Sequence, residues 1–362
     1  MSLFSRRTPP GTGAGAALAP GLGPGLARRL GRRLDRPVAA ARLAELGLLP
    51  RDRQDTRRAA PDPGLDRMVA AARAGDWRPG ADFLAGTGTL WERRTAVIAE
   101  LAGAAGRDDV WLQHWRAERP EDPGAAAVQA KAMIDLAWEI RGGGHAAHTS
   151  RERSEGFVRI LSRAGREITR AKELGGPDPS PYVADIWRGI GLGRPHEEMH
   201  RLWAETAGRD AHHLMAHRGA LQYWCAKWHG SRELAFSFAE RAMDSAPPGS
   251  LLTSLWLTAW WEHRPEHRSD QAARREFRAP EVEEAADRLQ EDAAAADPGH
   301  PYLAEVRHVL AYLYVRQGYA DQALEHFRAV DGHVGAFPWT LAPDPAELYC
   351  AFRDVAINMT GG

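Results

Sequence analysis

The chain has 362 residues, of which 44% are apolar and 26% charged, and its formal net charge is -1 at pH 7. This composition is that of an ordinary globular protein, and the near-zero charge excludes a global attraction to nucleic acid or to anionic membranes. Two cysteines, Cys225 and Cys350, are too few for a disulfide framework and favour a cytoplasmic location, while the most apolar run, Leu251 to Trp261, is too short for a transmembrane helix.

The N-terminal segment, residues 1–60, differs in composition from the rest of the chain. It combines a Gly/Pro/Ala tract, PPGTGAGAALAPGLGPG, with arginines that give residues 1–63 a charge of roughly +7. We expect this segment to be disordered, because glycine leaves the backbone free and proline removes a hydrogen-bond donor. Within it, GLARRLGRRLDR also allows a short basic helix, which would touch a membrane surface or an acidic partner through one apolar face formed by Leu26, Leu30 and Leu34.

From residue 64 onward, apolar residues recur at intervals of three and four, with almost no alternating stretch, and this pattern predicts helices. In DVWLQHW, Trp111 and Trp115 lie one turn apart. The run VQAKAMIDLAWEI aligns its apolar residues at Val128, Ala132, Leu136 and Ile140, and LQYWCAKW aligns Leu221, Trp224, Cys225 and Trp228. Turns rich in glycine separate the runs, as expected where one helix stops and the next begins.

An Asp-Pro pair precedes several of these runs, in PEDPGA (120–125), GPDPSP (176–181) and ADPGHP (296–301). The aspartate side chain accepts hydrogen bonds from the free amides of a helix N-terminus, and proline suits the first helical turn. Repetition of this opener, a helix, a glycine turn and a second helix indicates a helical solenoid.

The clearest unit is PYLAEVRHVLAYLYVRQGYADQALEHFRAV, which resembles a tetratricopeptide repeat (TPR) near residues 301–330. The matching positions are Leu310, Ala311 and Tyr314 in the first helix, Gly318 in the turn, and Ala323 and Phe327 in the second helix. The closing proline of the family is missing, since Gly335 stands there. A weaker echo runs through KWHGSRELAFSFAERAMDSAP.

Residues 64 to about 335 also resemble an uncharacterised bacterial family of tetratricopeptide-like helical proteins. The resemblance is carried by AWEIRG (137–142), ELGGPDPSPY (173–182) and LQYWCAKWHGSRELAFSFAERA (221–242). It implies a helical fold, and it transfers no activity and no catalytic residue.

The stretch PHEEMH contains H-E-x-x-H, in which His196 and His200 would bind zinc and Glu197 would activate the metal-bound water. Pro195 directly precedes the motif, so it occupies the first turn of a helix, where the glutamates complement the helix dipole. Nothing in the spacing selects a third ligand among Glu205, His212 and His217. The sequence therefore favours an ordinary helix start, with its inward face at Met199, Leu202, Trp203 and Thr206.

Two other groups of residues have a functional and a structural interpretation. Trp224 and Trp228, with Arg218 and Lys227 nearby, would form a stacking surface for a ligand, although packing between helices is the more ordinary role. The histidine pairs His213/His217 and His263/His267 have the spacing of metal ligands, but no cysteine or aspartate cluster completes a site.

These observations predict an all-α protein, a right-handed α-α superhelix of TPR-like hairpins at residues 64–340, between a basic disordered tail (1–60) and a C-terminal helix with a tail (341–362). We expect a non-enzymatic scaffold that binds another protein or a peptide on its concave surface, without catalytic, metal or cofactor residues and without nucleic acid. Two alternatives stay open: a zinc metallopeptidase using His196, Glu197 and His200, and a membrane-surface adaptor using the N-terminal arginines.

Overall fold

The structure, a computed structural model, describes residues 37–142, 151–265 and 270–360. These residues form 17 α-helices and two short 3-10 helices, and within them the only strand-like contact is an isolated bridge between Asp55 and His333. The prediction of an all-α fold is confirmed, while a right-handed superhelix remains a prediction. Among the described helices, none is both long enough and apolar enough to cross a membrane.

The chain divides into two compact units. The central unit, Asp62–Leu255, contains α2 to α11; the terminal unit combines Met1–Pro61 with Trp256–Gly362, and the division falls within α12. The helices are α1 (Ala40–Glu45), α2 (Pro63–Arg73), α3 (Arg78–Ala85), α4 (Trp91–Ala105), α5 (Val110–Glu118), α6 (Pro123–Arg141), α7 (Arg151–Gly175), α8 (Ser180–Leu192), α9 (His196–Ala207), α10 (Leu214–Trp224), α11 (Arg232–Ser245), α12 (Ser254–His263), α13 (Asp270–Phe277), α14 (Pro280–Ala295), α15 (Leu303–Gln317), α16 (Ala320–Val330) and α17 (Pro345–Thr360). This division differs from the predicted domain at 64–340 with a separate C-terminal helix.

The N-terminal segment differs from the expectation of disorder where the structure describes it. Residues 37–60 contain α1 and a 3-10 helix (Arg51–Arg53), and they bury Leu43 and Leu48. These two leucines supply the apolar contact of the segment. The composition, which is rich in arginine and proline, did not indicate this contact. Residues 1–36, including the predicted basic helix around Leu26, Leu30 and Leu34, lie outside the described residues.

A group of five residues, here the terminal clasp, joins this segment to the C-terminal helices: Leu49, Gln54, Asp331, Arg353 and Asp354. The Arg353 guanidinium donates to the Leu49 carbonyl at 2.6 Å and to Asp354 at 2.9 Å, while the Gln54 amide donates to Asp331 at 2.8 Å. Arg353 is only 2% exposed. Because a buried charge without partners is costly, these contacts fix the segment in place.

His308 on α15 makes a second link within the terminal unit. Its Nδ1 accepts a hydrogen bond from the Trp339 indole at 2.9 Å, and its Nε2 donates to the Ala59 carbonyl at 3.1 Å. The imidazole is completely buried, and burial lowers its pKa to about 4. The neutral form is therefore the one that this packing requires, since protonated Nδ1 would face the indole N–H.

The central unit is built around the antiparallel pair α6 and α7, and the inward face of α6 differs from the predicted one. Leu136 is 41% exposed, whereas Ile134, Ala137 and Trp138 are buried. A strict spacing of four residues drifts about 40° per step around a helix of 3.6 residues per turn, so the later members of the predicted stripe leave the core. The two tryptophans of α5, Trp111 and Trp115, are buried as predicted.

In five Asp-Pro pairs, the aspartate side chain accepts a hydrogen bond from a backbone amide. Three of these pairs are among those that the sequence predicts to open helices. The acceptors and the amide donors, with their distances, are Asp62 and Leu65 (2.9 Å), Asp122 and Gly124 (2.8 Å), Asp178 and Ser180 (2.8 Å), Asp297 and Gly299 (2.7 Å), and Asp344 and Glu347 (2.9 Å). Asp297 departs from the expectation, because it stabilises a turn and α15 begins only at Leu303. The other aspartates stabilise helix starts.

The TPR-like segment forms a helical hairpin of α15 and α16. Gly318 adopts a left-handed conformation (φ 94°) that closes α15, and the predicted contact residues Leu310, Ala311, Ala323 and Phe327 are all fully buried. In the weaker echo, Ala235 and Ala239 of α11 are buried, but the preceding helix ends at Trp224. The hairpin has the packing that the resemblance implies, and its membership of a repeat family remains a prediction.

Replacing Ala323 by leucine should lower the free energy of unfolding by roughly 1–3 kcal/mol, because a larger side chain overpacks the contact between α15 and α16. Chemical denaturation would measure the change. Ala329 lies on the same helix but is exposed, so Ala329→Leu is the matched control and should be close to neutral. Equal effects of the two substitutions would contradict this packing.

Candidate functional site

The H-E-x-x-H motif lies at the start of α9, as predicted. His196, Glu197 and His200 are exposed, whereas Met199, Leu202 and Thr206 are buried. Trp203, the fourth residue of the predicted inward face, is only partly buried. The inward face therefore contributes to packing, and the imidazoles lie on the surface.

Both imidazoles of the motif are engaged in local contacts. His196 donates from Nε2 to the His229 carbonyl at 2.7 Å, and its ring lies 5.1 Å from that of Trp224. The His200 ring lies 4.8 Å from the same indole. Among the described residues, no three His, Cys, Asp or Glu side chains are grouped closely enough to hold a metal ion. No described side chain thus completes a zinc site with His196 and His200.

Of the other two histidine pairs, the structure describes only His213/His217 in full, and this pair forms no metal site. His213 and His217 are buried in α10 and its N-cap, where the ring of each makes its own hydrogen bond. Burial lowers the pKa of His217 to about 4. His263 bonds to the Ala259 carbonyl at 2.9 Å, and His267 lies outside the described residues.

The predicted stacking surface is not assembled, because Trp224 and Trp228 separate. α10 ends at Trp224, and the turn that follows directs Trp228 onto Trp138, with 5.3 Å between ring centroids and an interplanar angle of 88°. The Arg141 guanidinium covers the Trp228 ring at 4.9 Å. Packing is thus the role that the structure gives to both tryptophans.

The central unit contains a cleft of about 530 Å³ beside α3 and the linker between α5 and α6. Its wall is mostly apolar and contains five charged side chains. The lining residues are Ala81, Asp82, Leu84, Ala85, Arg94, Arg119, Pro120, Glu121, Asp122, Pro123 and Gly124. The sequence did not predict this cleft.

Arg94 forms the inner wall of the cleft and is rigidly held. Its Nε donates to Asp178 at 2.5 Å and its Nη1 donates to the Leu84 carbonyl at 3.0 Å. Arg94 is 9% exposed and Asp178 is 2% exposed. A charge pair this buried is stable only when both groups keep their partners.

Behind Arg94, a hydrogen-bonded network connects α4, α8 and α10. Thr95 Oγ1 lies 2.8 Å from Ser180 Oγ and 2.9 Å from His213 Nε2. His213 Nδ1 accepts the amide of Ala216 at 3.1 Å, so the proton is on Nε2, which donates to Thr95. These groups bond to one another in the interior and do not line the cleft, and the Ser180 amide donates to Asp178, the partner of Arg94.

Glu92 lies at the far end of this network. It accepts the amide of Leu214, and its Oε2 lies 3.9 Å from His213 Nε2. Burial raises the pKa of this carboxyl, against the opposing effect of His213. Glu92 therefore favours the protonated form more than an exposed glutamate does.

The rim of the cleft carries carboxylates and one exposed arginine. Asp82 and Glu121 are exposed, and within the described part of the chain neither forms an ion pair or a hydrogen bond through its side chain. The Arg119 guanidinium lies 4.9 Å from the centre of the Trp77 ring and 4.0 Å from Asp122. Because Arg94 is already matched by Asp178, the lining residues of the rim leave a net negative charge, which the exposed Arg170, bonded to the Pro120 carbonyl, offsets in part.

The network and the cleft combine residues from distant parts of the sequence. Three of them carried a signal: Asp122 and Asp178 in Asp-Pro pairs, and His213 in a histidine pair. The arrangement offers a rigid, partly apolar cleft with acidic groups at its mouth, which suits binding of a cationic ligand. No protein-family model, no curated protein and no solved structure matches this chain.

Proposed function

We propose that this protein is a non-enzymatic binding protein and that the cleft of its central unit holds a short segment of a partner protein or a peptide. The observation that carries this proposal is the pair of exposed carboxylates, Asp82 and Glu121, at the mouth of a cleft with an apolar wall. A lysine or arginine side chain of the partner would place its charge between them, with its aliphatic stem against Leu84 and Pro123.

The size of the cleft is suited to a ligand that consists of one or two side chains of a peptide. A volume of about 530 Å³ is in the range of small-ligand sites, too small for a folded domain. Arg94 and the network behind it keep the inner wall fixed, so little ordering is required when the ligand binds. Both cysteines are buried and form no disulfide, which supports a cytoplasmic location.

Neither alternative function gains support from a specific contact. A metallopeptidase needs His196 and His200 to converge with a third ligand, and His196 instead bonds to the His229 carbonyl. The membrane adaptor depends on the twelve arginines of residues 1–60, and seven of them, in residues 1–36, lie outside the described residues.

An array of immobilised peptides of random sequence would test the proposal. We expect the protein to retain peptides enriched in lysine and arginine, and we expect binding to weaken as salt screens the charges. The double variant Asp82→Asn/Glu121→Gln should lose affinity about three- to tenfold, since partly exposed ion pairs contribute about 0.2–1 kcal/mol each.

Glu197→Gln is the matched control, because it removes an exposed carboxylate of the same unit on α9, outside the cleft. It should leave peptide binding unchanged. Two results would refute the proposed site. In the first, the protein retains peptides that have no basic residues. In the second, the double variant binds the same peptides as the original chain with the same affinities.

A further inference from the structure

A second group of charged residues in the central unit, here the basic cluster, surrounds the carboxylate of Asp185 on α8. Lys172 Nζ lies 2.6 Å from one carboxylate oxygen, and Arg194 Nη2 lies 2.8 Å from the other. Arg188 Nη1 lies 3.6 Å from the oxygen that Arg194 contacts. Although burial alone would raise the pKa of Asp185, Lys172 and Arg194 lower it overall. The carboxylate is therefore ionised, and three cations share it.

A fourth cation, Arg209, belongs to the same cluster through the ring of Tyr182. The Arg209 guanidinium lies 3.8 Å from the ring centroid, and Lys172 Nζ lies 4.3 Å from the same centroid. Arg209 Nη1 donates to the Glu205 carbonyl, but its Nε is buried and has no hydrogen-bond partner. This leaves a buried donor unsatisfied.

The positive charge of the basic cluster exceeds its negative charge. Within the part of the chain that the structure describes, Lys172, Arg188 and Arg194 pair with no carboxylate except Asp185, and Arg209 pairs with none. Glu205, the other acidic residue near Tyr182, is exposed. Three cations thus share one carboxylate, and a fourth, Arg209, lies over the Tyr182 ring without a carboxylate partner among the described residues.

These cations are also partly withdrawn from water. The side chains of Lys172, Arg188 and Arg194 are 21%, 24% and 15% exposed. Like charges gathered in a partly desolvated place repel one another, and an anion that enters among them removes that cost while gaining charge-assisted hydrogen bonds. Arginine and lysine are the side chains that bind phosphate oxygens best.

We propose that Lys172, Arg194 and Arg209 bind an oxyanion of the phosphate class, with Arg188 at its edge and Asp185 as an internal competitor for the same cations. Doubly charged phosphate matches the excess charge better than a carboxylate does. Asp185 holds the cations in place while the site is empty and lowers the affinity for the ligand by the same contacts. The site shares no residue with the cleft, so each proposal stands or fails by itself.

Isothermal titration of the full chain at fixed ionic strength, with inorganic phosphate and with glycerol 3-phosphate, tests the proposal. We expect saturable binding of both at millimolar concentration or below, and none of chloride. Tighter binding of the monoester would identify a phosphorylated molecule as the source of the ligand, and equal binding would identify free phosphate; either result supports the site.

Three variants separate this site from adventitious binding. Arg209→Gln should weaken phosphate binding by about tenfold, the worth of one charge-assisted hydrogen bond. Asp185→Asn should strengthen binding, because it removes the competitor, and a misfolded variant would not show such a gain. Arg201→Gln is the control, since Arg201 is exposed on α9 and its ion pair among the described residues is with Glu197 alone. This variant should bind phosphate as the original chain does.

The proposal is overturned if phosphate does not bind saturably, or if Arg209→Gln binds it as tightly as the control. Weaker binding by Asp185→Asn, with its circular dichroism spectrum and melting temperature unchanged, would overturn the role of Asp185 as competitor and with it this arrangement of the site.

Discussion

Replacing Arg94 by methionine should lower the free energy of unfolding by about 3–5 kcal/mol, the largest effect that we expect from a single substitution in the central unit. Methionine fills most of the volume of the arginine stem but leaves the Asp178 carboxylate 2% exposed and without its cation. It also leaves the Leu84 carbonyl without its donor. Guanidinium denaturation followed by circular dichroism would measure the loss.

A second substitution shows whether the unpaired charge causes this loss. In Arg94→Met/Asp178→Asn, the neutral amide oxygen still accepts the amide of Ser180, which lies 2.8 Å from Asp178. The double variant should therefore regain more than half of the lost stability. The exposed pair of Arg201 and Glu197 provides the comparison, because Arg201→Met should cost less than about 1 kcal/mol. If Arg94→Met cost no more than Arg201→Met, Arg94 would not hold the inner wall as described.

Acidification from pH 7 to pH 5 should destabilise the terminal unit through two buried imidazoles, His308 and His326. Burial lowers the pKa of each to about 4, from a usual value near 6.5. Below about pH 6.5 the unfolded chain takes up a proton at each imidazole that the folded chain does not bind. Stability is therefore fully present above this pH and falls as the pH approaches 4, by about 2 kcal/mol per imidazole between pH 7 and pH 5.

Chemical denaturation at pH 7, 6 and 5 would measure this dependence, and His308→Gln should remove about half of it in the terminal unit. In the central unit, His217 also lowers stability as the pH falls, because its pKa is lowered in the folded state. Glu92 has the opposite effect, because its pKa is raised and the folded state therefore favours its protonated form. His114→Gln is the control, since His114 is exposed on α5. Stability that is constant or rises between pH 7 and pH 5 would show that these imidazoles are not held neutral.

Local patterns predicted several of the helices and the Asp-Pro pairs at the starts of α6 and α8. The inward face of α9, with Met199 and Leu202, and the hairpin at Ala323 and Phe327 were readable because each depends on spacing within one or two neighbouring helices. The stripe on α6 failed at Leu136, because residues spaced strictly by four drift around the helix and leave its buried face.

Neither proposed site could be predicted in the same way. Arg94 and Asp178 are 84 positions apart, and Thr95 and His213 are 118 positions apart, so only the folded chain brings them together. The basic cluster joins Lys172 to Asp185 and Arg194 across α7, α8 and the turn that follows. In the amino-acid composition, such residues cannot be distinguished from ordinary charged residues on the surface. Their burial and the sharing of one carboxylate are properties of packing.

The terminal clasp has a consequence for synthesis of the protein on the ribosome. Leu49 and Gln54 emerge from the exit tunnel early, yet Asp331 and Arg353 are made only after the whole of Asp62–Leu255 has been translated. At about 5–20 residues per second, the early segment waits roughly 15 to 60 seconds before its partners exist. The continuous central unit is free to fold during that interval, so Asp62–Leu255 should acquire structure before Leu49 and Gln54 bind Arg353 and Asp331.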